Sequence, residues 1–496
     1  MESKFIKDVL VITPPRKSVL NNVIINNYPP NNQGIDSVPL RLAAVIEKKF
    51  NVVFFPFYYT QYNYYNLDLE EVENVIQKYS PKILVVSTDY FISNRTTSTV
   101  NSSLEVIKEY KRIFPNGKTV VVGKHAIVGS TDFFKDEKGA DVVITCEAED
   151  VINDVIELLL ANEKEKLLEI PNLAFRNKNG DIIFSENTEL IIDPNELPVP
   201  AFHLLNDYVE EFIEKEKPLN DKLSITLRTS YGCIYQCPFC AGVKSWNNYR
   251  TRCAKKIEED VCYFNECLGD RAEICFLDDE LFTMDKEHVR AVANIFKKYN
   301  VVVQGVLTHI NFFDEEIAQM LSQFSSSVIF GGENFCNEVL KKIGKQQTRE
   351  KIIEGCQIAK KYGLGTRVEY ICGLPYENSK TVIENINFIF NAIAGGKIDI
   401  VVPYILVPHP GTKFNVEAES YGIRILDDDY SNYIEEGNFP VYETEYLSRS
   451  QIYIYYLLLI NNIYAAKRIN QMLGNTNFLN DAGYSLELFD NFFNKI

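Results

Sequence analysis

Three cysteines, Cys233, Cys237 and Cys240, stand within eight residues at C-x3-C-x2-C spacing, directly after the apolar run Leu223–Leu227. Thiolates suit iron–sulfur clusters and zinc alike, so the spacing has to arbitrate. A structural zinc site takes four closed ligands, usually as two separated pairs. No second pair lies near, since Cys253 and Cys262 are too distant in sequence to read as one. Iron–sulfur clusters normally take four cysteines, so a trio leaves one iron open to another ligand. The chain has 11 cysteines, an odd number without the spacing of a disulfide framework. Most of the others (Cys146, Cys253, Cys262, Cys267, Cys275, Cys336 and Cys356) sit singly in apolar-periodic segments and read as buried, inert thiols.

Beyond the trio, strand-like runs recur at 274–277, 301–307, 327–330, 367–371 and 398–402, with helical patterns between them. Counted with Leu223–Leu227 they make six β/α units, a partial barrel. Sites on such barrels lie at the carboxyl ends of the strands. Those ends carry Asp278-Asp279-Glu280, Thr308-His309, Gly331-Gly332-Glu333, Cys372-Gly373-Leu374-Pro375-Tyr376-Glu377 and His409-Pro410-Gly411-Thr412. After about residue 425 the pattern is helical, notably at 447–472 with Tyr453, Tyr455, Tyr456 and Tyr464, a pattern that helical packing or a substrate cap explains equally well.

The first third alternates differently. Apolar β-branched runs at 9–13, 52–57, 83–87, 119–123 and 142–146 are separated by amphipathic stretches at 40–49, 69–78, 102–113 and 150–160. Short buried strands separated by helices imply a five-stranded, doubly wound parallel sheet. Its ligand would bind at the carboxyl ends of the strands, near the switch point. Thr13-Pro14-Pro15, Ser87-Thr88-Asp89 and Gly123-Lys124-His125 occupy those ends. Between 171 and 202 the texture changes: Asn179-Gly180 separates two short apolar runs, as in a hairpin with a two-residue turn. Leu197-Pro198-Val199-Pro200 then reads as a stiff, non-helical linker. The expected division is 1–165, a nucleotide-type domain; 166–215, hairpin and linker; 216–425, barrel; and 426–496, helical cap.

The 496 residues, 46% hydrophobic and 24% charged, suit a soluble chain of two or three domains. A formal charge of −17 argues against a nonspecific binder of phosphate backbones, so no nucleic-acid partner is expected. Met1 to Asp8 lead into 9–12 without the long apolar core of a secretory signal, and the richest apolar stretch, 453–460, is too short to span a bilayer. A cytoplasmic protein with no membrane span is the expectation.

An aromatic before the third cysteine, here Phe239, completes a pattern that resembles the radical S-adenosylmethionine (SAM) superfamily. The barrel elements resemble that family in order: an acidic stretch after strand two, Gly-x-Glu after strand four, Gly-x-Pro-x-Glu after strand five and Pro-Gly-Thr after strand six. The resemblance implies a [4Fe–4S] cluster on Cys233, Cys237 and Cys240, with SAM chelating the open iron. It places Asp278, Asp279 and Glu280 near the SAM amino group, and Gly331, Gly332 and Glu333, with Phe239 and Gly373, along the bound cofactor. His309 stands where relatives often carry Arg.

The first third resembles the cobalamin-binding domain found ahead of many radical SAM modules. The likeness rests on the Pro14-Pro15 turn, the Val122-Gly123-Lys124-His125-Ala126 turn and the Cys146-Glu147-Ala148-Glu149 step. By that likeness Pro14, Pro15, Ser87, Thr88, Gly123, His125 and Glu147 are candidate cobalamin contacts. The Asp-x-His-x-x-Gly pattern that ligates cobalt from below is missing, because Gly123 stands in the Asp position and Gly129 falls one residue late. Cobalamin would then bind with no histidine on its lower face.

The implied activity is cobalamin-dependent radical methylation of an unactivated carbon on a small-molecule or peptide substrate. It would need an external electron donor of flavodoxin or ferredoxin type. One alternative keeps the radical and makes Cys372 a hydrogen-atom donor, as in radical SAM epimerases. Another is a non-catalytic sensor built on cluster and cobalamin.

Overall fold

The computed structural model describes residues 7–15, 34–57, 67–89, 96–136, 138–216, 222–243 and 248–474. Of the aromatic-rich stretch 54–65, only 54–57 fall within the described residues. The chain forms two compact units. The first contains residues 7–15, Gly34–Arg228 and 248–273; the second contains Thr229–Val243 and 274–474.

The first unit is built on a seven-stranded sheet: β1 (Lys7–Ile12), β2 (Val52–Phe55), β3 (Pro81–Ser87), β4 (Lys118–Val122), β5 (Val142–Ile144), β6 (Leu173–Arg176) and β7 (Ile182–Phe184), in spatial order β2-β1-β3-β4-β5-β6-β7. The first five strands are parallel. Val9, Leu10, Val11 and Ile12 are fully buried, which explains why β1 reads as a continuous apolar run rather than an alternation. Each such side chain contributes about 1.5–3 kcal/mol on burial. Helices Ser37–Glu47 and Leu69–Tyr79 start where Asp36 and Asp68 accept backbone N–H bonds. The strand order reverses between β1 and β3, which opens the ligand crevice of a doubly wound sheet at their carboxyl ends.

Two details depart from the sequence expectation. The hairpin continues the sheet, since β6 pairs antiparallel with β5 and β7 with β6. Its turn is also longer than Asn179-Gly180: Asn177 Oδ1 accepts from the N–H groups of Asn179 (2.8 Å) and Asp181 (2.9 Å), so 177–181 close the loop together. A further strand, β8 (Leu223–Leu227), pairs within this unit through a parallel bridge between Ile35 and Ile225.

The second unit carries the β/α series β9 (Ala272–Leu277, from residue 274), β10 (Val306–Thr308), β11 (Ser327–Glu333), β12 (Gly365–Cys372) and β13 (Ile400–Ile405). β10 to β13 are parallel and adjacent in chain order, and a parallel bridge from Phe276 to Gly305 links β9 to the series. The strand expected at 301–307 is reduced to three residues, with Val302 left 62% exposed ahead of it. Helix Ser379–Ala394 packs against Arg449–Met472, whose first turn is closed by a reciprocal Ser448–Gln451 capping box. Among the described residues no helix is long and apolar enough to cross a membrane.

Candidate functional site

The cysteine loop of the second unit is fixed at both ends and in its middle. At its start Asp279 Oδ1 accepts the N–H groups of Thr229 and Ser230, each at 2.8 Å, while Oδ2 accepts the Thr229 hydroxyl at 2.6 Å. The same hydroxyl lies 2.9 Å from His288 Nε2, and burial pushes that imidazole down to about 4. In the middle, Tyr235 stacks on His309 with ring centroids 4.3 Å apart, and its hydroxyl accepts from Asn311 Nδ2 at 3.2 Å. The Tyr235 N–H donates to Cys233 Sγ at 3.4 Å. At the far end the Phe414 N–H donates to the Pro238 carbonyl at 3.0 Å, with the Phe239 and Phe414 rings 6.3 Å apart.

All three thiols are partly exposed, and burial raises each of them, Cys240 to about 12. Lys345 opposes that effect. Its side chain is 8% exposed, and its ammonium lies 2.8 Å from Glu333 Oε1 and 6.0 Å from the centre of the Phe239 ring. Burial disfavours its charge, but Glu333 and the thiols of Cys237 and Cys240 more than offset this and hold it protonated. Three thiols in one clamped loop, beside a fixed cation, suit an anionic iron–sulfur cluster. Among the described residues no three His, Cys, Asp or Glu side chains converge tightly enough for a single metal ion.

The strand ends around this loop are equally constrained. Asp278 and Asp279 are buried and Glu280 is partly so. Glu333 adopts φ +59°, an uncommon conformation for a side chain of its size. A Cβ on Gly332 would lie 2.4 Å from Val368 Cγ1, so β11 tolerates no side chain there. Gln347 Nε2 donates to the carbonyls of Gly331 (2.8 Å) and Gly332 (2.9 Å). After β12, the N–H groups of Gly373 and Leu374 donate to Glu377 Oε2 at 2.8 and 3.0 Å. Asn334 Nδ2 and the Tyr370 hydroxyl donate to its other oxygen at 2.8 and 2.9 Å. The Gly-x-Pro-x-Glu turn is thus stapled by its own carboxylate. Cys372 is buried with Sγ 3.8 Å from the Ile452 carbonyl, and burial pushes its thiol well above the ordinary range.

In the first unit the crevice end of the sheet carries Pro14, Pro15, Ser87, Thr88 and Gly123. The Ser102 hydroxyl donates to the Pro15 carbonyl, Ser87 Oγ donates to Asp89 Oδ2 at 3.2 Å, and Thr88 binds the Val122 carbonyl through both N–H and hydroxyl. Gly123 has φ +100°, and a Cβ there would meet the Asp89 nitrogen and Thr88 Oγ1 at 2.8 Å. Thr13, at the end of β1, is 1% exposed and its hydroxyl has no hydrogen-bond partner among the described residues. Gly123 thus lacks a side chain because Thr88 and Asp89 fill that space, while the Thr13 hydroxyl is left to bond a ligand at the strand ends.

Two candidates from the sequence are engaged by other side chains here. His125 is fully buried, with Nε2 3.0 Å from Asp132 Oδ2 and Nδ1 3.3 Å from Thr97 Oγ1, so neither nitrogen is left for a ligand. Glu147 is gripped by Arg250, with contacts of 2.6 and 2.9 Å, and accepts from the Ile192 N–H at 3.3 Å. It borders a separate cleft of about 490 Å³, which Cys146, Asn172 and Thr188 also line. Conversely, Lys345, Gln347 and His288 escaped the sequence reading. Each lies outside the motif stretches, and no local pattern distinguishes them from surface residues.

Residues 227–389 match the model of the Radical SAM superfamily. An uncharacterized methyltransferase of Pyrococcus horikoshii is 24% identical over 410 residues, 82% of each chain. The anaerobic magnesium-protoporphyrin IX monomethyl ester cyclase of Rubrivivax gelatinosus is 23% identical over 61% of this chain and 54% of its own. Among solved structures, the radical S-adenosylmethionine methyltransferase TsrM of Kitasatospora setae, with cobalamin and a [4Fe–4S] cluster bound, superimposes with a TM-score of 0.63. That match has 15% identity and covers 92% of this chain and 88% of TsrM. The cobalamin-dependent S-adenosylmethionine radical enzyme OxsB, in its apo form, gives a TM-score of 0.64 at 14% identity, over 95% of this chain and 67% of its own.

Proposed function

We propose that the chain, whose residues 227–389 match the Radical SAM superfamily, is a cobalamin-dependent radical SAM methyltransferase acting on a small-molecule or peptide substrate. The observation that carries this reading is the pairing of two sites in one chain. A doubly wound sheet presents the Thr13 and Gly123 crevice, and a β/α series presents the Cys233–Cys237–Cys240 loop. The fold likeness to two proteins whose names specify cobalamin and SAM supports it, as does the methyltransferase name of the Pyrococcus relative.

A cluster with one open iron would supply reductive cleavage of SAM, and bound cobalamin would supply methyl carriage between SAM and substrate. Within the chain, Cys233, Cys237 and Cys240 hold the cluster, while Tyr235 and Phe239 fix their loop. Asp279 is the anchor of that loop, because both of its oxygens already bind residues 229 and 230. Asp278, Glu280, Gly331, Gly332, Glu333 and Gly373 line SAM, with Gln347 holding the glycine carbonyls. Pro14, Pro15, Ser87, Thr88 and Gly123 would border cobalamin, while the His125 ring stays bonded to Asp132 and Thr97. The electron comes from an external flavodoxin- or ferredoxin-type donor.

The test is transfer of labelled methyl from SAM to a substrate pool by cobalamin-reconstituted enzyme under anaerobic, reducing conditions. Labelled product that requires cobalamin is expected. Release of 5′-deoxyadenosine with no cobalamin-dependent labelled product rejects the methyltransferase reading.

A further inference from the structure

His309 is 5% exposed, and its Nε2 has no hydrogen-bond partner among the described residues. The tautomer follows from its other nitrogen: Nδ1 accepts the backbone N–H of Asn311 at 3.2 Å, and a backbone amide can only donate. The proton of the neutral ring therefore sits on Nε2. Burial, reinforced by the charges of Lys345 and Lys351, keeps the ring neutral. The result is a buried N–H donor with nothing to donate to, which folded proteins rarely tolerate unless a bound group supplies the acceptor.

The location of the ring narrows what that group is. It lies flat against Tyr235, at an interplanar angle of 25°, and Tyr235 sits between Cys233 and Cys237 and bonds Cys233 Sγ through its own N–H. Aromatic stacking and the Asn311 bond fix the ring from two sides, so its free N–H has a set direction. Lys345, whose charge acts on His309, acts on Cys233, Cys237 and Cys240 as well. The acceptors that this loop gains on maturation are cluster and cysteinyl sulfurs.

We propose that His309 donates its Nε2–H to a sulfur of the [4Fe–4S] cluster, and so stabilises the reduced, more negative state. The inference rests on the cluster assignment above. Hydrogen bonds to cluster sulfurs raise the potential, because the reduced cluster is the stronger acceptor.

His309→Phe keeps an aromatic ring to stack on Tyr235 but deletes the donor, whereas His309→Gln restores an N–H. The experiment is a redox titration, followed by electron paramagnetic resonance, of anaerobically reconstituted wild type, His309→Phe and His309→Gln without SAM, at matched iron and sulfide content. His309→Phe is expected to show about a tenfold lower reduced-to-oxidised ratio at fixed potential, equivalent to a downward shift of about 59 mV for one electron, with His309→Gln partly restoring it. An unchanged potential in His309→Phe overturns the proposal, including the case in which only SAM affinity falls. Should the variants fail to hold a cluster, the reduced wild type labelled with 15N-histidine decides: an electron–nuclear coupling to one imidazole nitrogen is expected, and its absence refutes the proposal. A wild type that assembles no four-iron centre would fail the cluster assignment itself, which separates the two results.

Discussion

Replacing Lys345 with Met removes a buried positive charge beside the cysteine loop while keeping most of the side-chain volume. The side chain is 8% exposed and its ammonium is 6.0 Å from the centre of the Phe239 ring, next to Cys240. A unit charge acting over a separation of about 7 Å at an effective dielectric constant of about 20 contributes about 2.4 kcal/mol. At about 59 mV per tenfold change, that is a fall of about 100 mV in the cluster potential. Glu333, 2.8 Å away, makes the control: Lys345→Met with Glu333→Gln removes a neutral pair and should shift the potential far less than the single change. The assay is a redox titration of cluster-loaded protein without SAM. A single variant with full iron content and a potential within about 20 mV of wild type, well under the shift expected from an effective dielectric of about 20, would refute this use of the buried charge.

Three other outcomes follow from the geometry. Asp260, 1% exposed, binds Arg252 at 2.7 and 2.9 Å and Arg41 at 3.0 Å, so Asp260→Ala should cost about 3–5 kcal/mol in urea unfolding, and a loss below about 1 kcal/mol contradicts it. His309 is pushed down to about 3, mainly by burial, so the unfolded chain binds its proton first as pH falls below about 6.5. Folding stability should therefore drop between about pH 6.5 and 4 more steeply in wild type than in His309→Phe, by about 1.4 kcal/mol per pH unit, and parallel curves would contradict this. Cys372→Ala should keep turnover in deuterated water, because the thiol is buried against the Ile452 carbonyl; loss of both turnover and solvent deuterium incorporation would restore the hydrogen-atom-donor reading.

What the sequence made legible is what neighbouring residues decide. The C-x3-C-x2-C loop, the buried strands such as residues 9–12, and the glycines after β4 and within β11 announce themselves within a few positions. The engagements of His125 and Glu147 are of another kind. Asp132 is 7 residues from His125, and Arg250 is 103 residues from Glu147, so only the fold brings these pairs together. Asp279 is legible by resemblance as a strand-end acid near SAM but not as the anchor of Thr229, a contact across 50 residues. Lys345 carried no signal because a lone lysine is ordinarily a surface residue, and its burial depends on Glu333 and the thiols.

The most direct measurement is metal and sulfide analysis, with Mössbauer spectroscopy, of anaerobically reconstituted wild type and of Cys233→Ala, Cys237→Ala and Cys240→Ala. The account predicts a single four-iron centre per wild-type chain, one of whose irons changes its spectrum when SAM is added, and loss of that centre in each variant. Zinc at this loop, or a four-iron centre that survives all three substitutions, would contradict it.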